Sequence, residues 1–301
     1  MSRTIQRTGK GSGSGKVILL GEHVVVHGKP AIVAGLDRGV RVIIEPGRDS
    51  TTLDPRVAEA LQRAITLLGI EPADLTLRIS GDLPIGMGLG SSAALAVALL
   101  RALADAAGFA IGEDDVAAHA HEIEKLFHGT PSGVDSTAAT HGGLLWFEAG
   151  PPPRHERVTA SASLPLVVVL SRTVHATART VGSLRDRAAA APDVYRPVFA
   201  AVGELVRAAR RAIESGARER LGELMTMNHG LLRACGVSTA ELDAIVDTAL
   251  DAGACGAKLT GAGGGGAVIA LPADEGASLA RALGAAGHEC FVVHVGGASP
   301  S

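Results

Sequence analysis

DLPIGMGLGSSAALAVALL, residues 82–100, sets glycine at positions 86, 88 and 90 and then places two serines at the head of a long apolar run. A backbone without Cβ lets a ligand approach closely. The run from Ser91 to Ala107 carries almost no charge before Arg101 and predicts a buried helix. The first N–H groups of such a helix have no intrahelical partner. Those donors, with the helix dipole, favour a phosphate at that end. The serine hydroxyls could cap the helix, or one could reach a metal ion. A plain glycine turn with a serine N-cap fits the same residues equally well.

Three other stretches bear on that choice. GAKLTGAGGGGAVIAL, residues 256–271, sets a glycine run between two strand-like segments. Glycine tracts are often linkers, but apolar strands on both sides favour a tight functional loop. GSGSGKVILLGEH, residues 11–23, resembles the end of a P-loop. That motif needs glycine where Lys10 stands, Ser or Thr where Val17 stands, and a helix after the lysine. Val17 to Leu20 reads as a strand instead, and residues 1–14 read as a flexible lead into it. HAHEIEKLFHGTPSGVDSTAATHGG, residues 119–143, gathers histidines and carboxylates. The metalloprotease pattern would require histidine at Lys125, and His119 and His121 point to different helix faces. Solvated or capping histidines are therefore expected rather than zinc. Glu124 falls near a helix end. Asp135 falls in a Pro/Gly turn, either as an Asx-turn residue or as a buried carboxylate serving as base.

A chain of 301 residues is long enough for two ordinary domains. Aromatic residues make up 2% against 47% hydrophobic overall, so the core must be aliphatic. A net charge of −3 without long runs of one sign gives no footprint for nucleic acid or an anionic membrane. Cys235, Cys255 and Cys290 are too few and too scattered for a disulfide framework or a zinc site. No stretch approaches the ~20 apolar residues of a membrane span. The N-terminus also lacks a signal peptide's apolar core, and a soluble cytoplasmic protein is expected.

Short strands are predicted over 17–20, 24–26, 40–45, 75–80 and 144–147, with helices over 57–68, 91–107 and 113–126. Residues 149–163 read as a domain boundary. Beyond them come a strand over 164–170 and helices over 177–190, 196–214, 218–234 and 239–252. Strands flanking the glycine run, a helix near 274–286 and a strand over 290–295 close the chain. Strands mixed with runs of helices indicate an α+β fold rather than a doubly wound sheet.

GKVILLGEHVVVHGKPAI, PIGMGLGSSAA and KLTGAGGGG, in this order, resemble the three motifs of the GHMP small-molecule kinases. GEHVVVHGKPAI and HGTPSGVD point within that superfamily to the mevalonate kinases. The resemblance implies a ribosomal protein S5 domain 2-like N-terminal domain over 1–160 and a ferredoxin-like C-terminal domain over 161–301. It implies ATP and Mg2+ as cofactors and phosphorylation of the 5-hydroxyl of (R)-mevalonate. ATP would be held by Pro84, Gly86, Gly88, Leu89, Gly90, Ser91, Ser92 and Ala93. Ser92 and Glu124 would hold the metal. Asp135 would be the catalytic aspartate, with Lys16 beside it and the reacting hydroxyl. Glu22, His23, Thr177, Gly261, Ala262 and Gly263 would face the substrate. A homodimer is a further implication. The chain departs from the family pattern at Ser14, where proline is usual, at Thr130 in HGTPSG, and at Leu95, where tyrosine is common. Another small-alcohol kinase such as phosphomevalonate kinase, a diphosphomevalonate decarboxylase, and a non-catalytic ligand sensor on the same fold are the alternatives.

Overall fold

The computed structural model describes residues 3–47, 53–128, 131–173 and 177–295. Its elements run β1 (Gly9–Leu20), a 3-10 turn (Val25–His27), β2 (Ala31–Pro46), α1 (Pro55–Leu68), β3 (Leu75–Gly81), α2 (Ser91–Ala106), α3 (Glu113–His128), α4 (Val134–His141), β4 (Leu144–Glu148) and β5 (Arg154–Arg157). The second half holds β6 (Leu164–Leu170), α5 (Thr177–Ala190), α6 (Pro192–Ser215), α7 (Arg218–Ala234), α8 (Ala240–Asp251), β7 (Gly256–Thr260), β8 (Ala267–Leu271), α9 (Ala277–Ala285) and β9 (Cys290–Val295). Among the described residues, every pairing between these strands is antiparallel. One sheet has the order β1-β2-β4-β5, with β3 also on β2, and the other the order β7-β8-β6-β9. The expected α+β class is the one observed.

The N-terminal sheet corrects the reading of residues 1–14 as a flexible lead. β1 begins at Gly9, and its glycines are what allow α2 to lie against it. A Cβ on Gly9, Gly11 or Gly13 would stand 2.2 Å from the carbonyl oxygen of Ala102, Ala98 or Ala94 respectively. Alternate residues of a strand share one face, and every fourth residue of a helix returns to one stripe. The glycine stripe of β1 therefore meets the alanine stripe of α2 backbone to backbone, and Ala94, Ala98 and Ala102 are fully buried. Composition read as flexibility in isolation becomes close packing once the helix is in place.

Other expectations shift for local reasons. Where a strand over 24–26 is expected, the chain forms the 3-10 turn Val25–His27, closed by Gly28 at φ 71°. β2 is longer than the predicted 40–45, because it pairs first with β4 and further along with β3. The proposed boundary at 149–163 contains β5, which pairs with β4 and so belongs to the first sheet. Asp135 lies in the first turn of α4, a helix of eight residues rather than a turn. All three cysteines are free. Among the described residues no helix is long and apolar enough to cross a membrane.

Buried contacts join the two sheets. The Ile18 amide donates to Thr260 Oγ1 at 2.9 Å, and that hydroxyl lies 3.1 Å from the Ile18 carbonyl oxygen. β1 thus runs from its packing against α2 into contact with β7.

Candidate active site

The loop before α2 ends at Gly90, whose φ of 76° lies in the left-handed region, and no side chain caps the helix. The N–H groups of Ser91, Ser92 and Ala93 therefore remain available at that end. Pro84, Gly86 and Gly88 are partly exposed along the loop, while Leu89 is buried beneath it. The loop also holds Lys16. The Lys16 amide donates to the Leu89 carbonyl at 2.8 Å, and its ammonium to the Gly88 carbonyl at 3.1 Å. A Cβ on Gly90 would stand 2.8 Å from Lys16 Cγ, so the lysine stem runs directly over that glycine.

Lys16 Nζ reaches Asp135 Oδ1 at 3.2 Å. The lysine side chain is 4% exposed and the aspartate 29%, so the carboxylate faces open space while its partner is enclosed. Asp135 follows Gly133, the residue that begins α4 at φ 85° with no side-chain cap. The positive end of that helix supports a carboxylate there. A carboxylate so placed can accept a proton from an alcohol, and an ammonium beside it can offset the negative charge that develops.

Glu124 sits in the last turns of α3, fully buried. Its Oε2 accepts from the Ser136 amide at 3.1 Å, whereas its Oε1 is buried without a hydrogen-bond partner. Burial pushes this carboxyl up to about 8, and the neighbouring Asp135 adds to the shift while Lys16 opposes it. A buried carboxylate oxygen without a donor fits a cation. Ser92 Oγ, the second expected metal ligand, lies 3.1 Å from His128 Nε2. Burial lowers that imidazole's pKa first, with Asp135 opposing and Lys16 reinforcing the shift.

The remaining expected residues divide. His23, at φ 64°, sets its Nε2 3.0 Å from the Ala262 carbonyl, which brings it to the second glycine loop. Gly261 lies opposite the first loop, since a Cβ there would be 3.6 Å from the Gly88 carbonyl oxygen. Gly263 is pressed against Val237, whose carbonyl oxygen would be 2.1 Å from an added Cβ. Glu22 is 1% exposed and turns inward. One of its oxygens meets the Lys258 ammonium, and the other accepts from Asn228 Nδ2 at 3.0 Å. Burial drives Glu22 up and Lys258 down, and their mutual attraction opposes both shifts. Thr177 begins α5, and its side chain lies outside the described residues, as do Gly129 and Thr130 of the HGTPSG stretch.

Sequence reasoning missed four residues. His128 meets Ser92, and it is the first residue of the HGTPSGVD stretch, where it was given no role. Lys258 and Asn228 enclose Glu22, and Thr260 holds β1. A lysine inside an apolar strand, as in Ala257-Lys258-Leu259, was the available signal, because a buried ammonium needs a carboxylate.

Comparison with known proteins identifies the family. Residues 55–143 match the family model for the GHMP kinases N terminal domain, and residues 190–289 the model for the GHMP kinases C terminal. A mevalonate kinase of Pyrococcus horikoshii is 36% identical, with 92% of each chain covered. One from Methanothermobacter thermautotrophicus is also 36% identical, over 86% of this chain and 88% of its own. Among solved structures, the L. major mevalonate kinase in complex with R-mevalonate superposes with a TM-score of 0.89 at 34% identity, covering 100% of this chain and 99% of its own. Two glycine loops face to face, a lysine–aspartate pair beside the first, and relatives that match almost end to end lead to one assignment: the chain belongs to the GHMP kinase family.

Proposed function

We propose that this chain is a mevalonate kinase, transferring the γ-phosphoryl group of ATP to the 5-hydroxyl of (R)-mevalonate in the cytoplasm. The observation that carries the reading is the Lys16–Asp135 pair at 3.2 Å beside the Gly88 carbonyl, where the first glycine loop meets the head of α4. The mevalonate kinases matched over nearly the whole chain support the choice of acceptor.

The chain's own groups divide the work. Backbone N–H groups at the start of α2 bind phosphate oxygens, and the loop from Gly86 to Gly90 lets the triphosphate approach the backbone. Asp135 accepts the hydroxyl proton as that oxygen bonds to the γ-phosphorus and the bond to the β,γ-bridging oxygen breaks. Lys16 offsets charge on the transferring group and fixes the rotamer of Asp135. Ser92 and Glu124 would hold magnesium, and the unpartnered Oε1 of Glu124 suits that role. When bound, the metal supplies charge neutralisation across the β- and γ-phosphates. His23 and the loop Gly261-Ala262-Gly263 lie on the acceptor side.

ADP release from Mg-ATP tests the proposal, with (R)-mevalonate compared against 5-phosphomevalonate, homoserine and galactose. Turnover confined to mevalonate, and lowered by about 10²–10⁴ in Asp135→Asn, is the expected result. Turnover with a different alcohol alone would keep the kinase site and overturn the acceptor.

A further inference from the structure

Away from the phosphate loops, three side chains from distant parts of the chain converge. Asp114 lies in the first turn of α3, His141 is the last residue of α4, and His155 is on the edge strand β5. Each offers one ligand atom, and these atoms all lie within 4.8 Å of one another. The two imidazole centroids are 4.2 Å apart.

His141 supplies the independent observation. Its side chain is 11% exposed, and its Nε2 is buried without a hydrogen-bond partner. That nitrogen faces Asp114 Oδ1 at 3.6 Å, too long for a hydrogen bond. Two ligands of one tetrahedral ion, each about 2.0–2.1 Å from the metal, stand about 3.4 Å apart. The gap therefore matches a shared cation better than a direct bond.

We propose that Asp114, His141 and His155 form a second, non-catalytic metal site that takes Zn2+ or a similar borderline divalent ion. Two imidazoles and one carboxylate are the donor set such ions prefer, whereas Mg2+ favours oxygen alone. The 90% exposed Asp114 leaves the fourth position open to water. Of the other charges near His141, Glu113 is paired with Arg101. Arg157 turns its guanidinium to the His141 carbonyl at 2.8 Å, so its charge opposes the ion from one side only. A bound ion would tie β5 to the start of α3 and the end of α4, the helices that carry Glu124 and Asp135.

Co2+ titration of the full chain, in excess Mg2+, provides the test. One equivalent of Co2+ should bring up the visible bands of a four-coordinate nitrogen–oxygen site, and Zn2+ should displace it. His155→Ala and Asp114→Asn should each weaken Co2+ binding by at least about 100-fold, more than is lost with an outer-shell partner. Asp114→Asn alters an exposed side chain and leaves folding intact, so the test does not depend on His155→Ala being well folded. Both variants should keep Mg-ATP turnover. Octahedral bands only, or binding that both variants retain, would overturn the site.

Discussion

Lys258→Met removes one half of a charge pair that is sealed from water. Lys258 is 0% exposed and Glu22 1%. Without the ammonium, the Glu22 carboxylate keeps the neutral Asn228 amide at 3.0 Å but no opposite charge. Stripping one partner from a buried pair costs about 3–5 kcal/mol, mostly the penalty of the stranded charge. Unfolding entropy of about 2.1 cal/mol/K per residue gives about 0.6 kcal/mol/K for 301 residues. The expected fall in Tm is therefore about 5–8 °C. Glu22→Gln combined with Lys258→Met removes both charges, and most of the loss should return. A cycle of parent, two single variants and the double, followed by calorimetry and urea unfolding, measures the coupling, expected at about 2 kcal/mol. The pair lies between the loop after β1 and strand β7, so the transition should also reveal whether the two sheets still unfold together. A single variant within 2 °C of the parent, a bound set by the same ~0.6 kcal/mol/K scale, would refute the reasoning. So would singles whose costs add in the double.

Gly90→Ala should lower kcat more than it lowers stability, because the new methyl would meet Lys16 Cγ at 2.8 Å and push the ammonium from Asp135; single-turnover kinetics would show this. Gly11→Ala strikes a different layer, forcing a Cβ to 2.2 Å from the Ala98 carbonyl, and should cost about 1–3 kcal/mol or more by urea unfolding. Metal-free protein should grow less stable as pH rises from about 4.5 towards 8. Glu124 is raised to about 8 in the folded state, so between those values the folded chain holds a proton that the unfolded chain has released. Unfolding at stepped pH checks the slope, which should flatten in Glu124→Gln.

Glycines alternating with bulkier residues ahead of an apolar, alanine-rich run made α2 and the glycine loop before it readable from residues 82–100 alone. The strands over 75–80, 164–170 and 290–295 were equally visible, since each is a short apolar or alternating run. Only the last four residues of β1, Val17 to Leu20, were visible; its first part was hidden because the inward face there is glycine, which breaks the hydrophobic alternation a strand normally displays. The matching alanines, four residues apart in α2, became meaningful only as a pair with those glycines. α4 escaped because Asp135-Ser136-Thr137 has weak helix propensity; packing against β1, α2 and α3 overrides it. Lys16 and Asp135 are far apart in sequence, and their juxtaposition depends on β1 passing under the glycine loop. Glu22 was legible as part of a motif, but its direction was not. Lys258 and Asn228, which decide that direction, arrive from the other half of the chain.

The glycine face of β1 also carries a metrical limit. Two residues of strand advance about 6.6 Å, while four residues of helix advance about 6.0 Å. The two repeats differ by only about 0.6 Å, and the three contacts all stay at 2.2 Å. Gly9, Gly11 and Gly13 still find α2, but a Cβ on Gly15 would meet Leu83 instead. The lock ends where the helix does, because four residues before Ala94 stands Gly90, the cap of α2, and its last glycine lies three residues before Lys16. Nothing compressible lies between strand and helix over that length. The start of α2 and the lysine are therefore gauged against each other by backbone alone, and inserting a single residue in either element would put the two out of step.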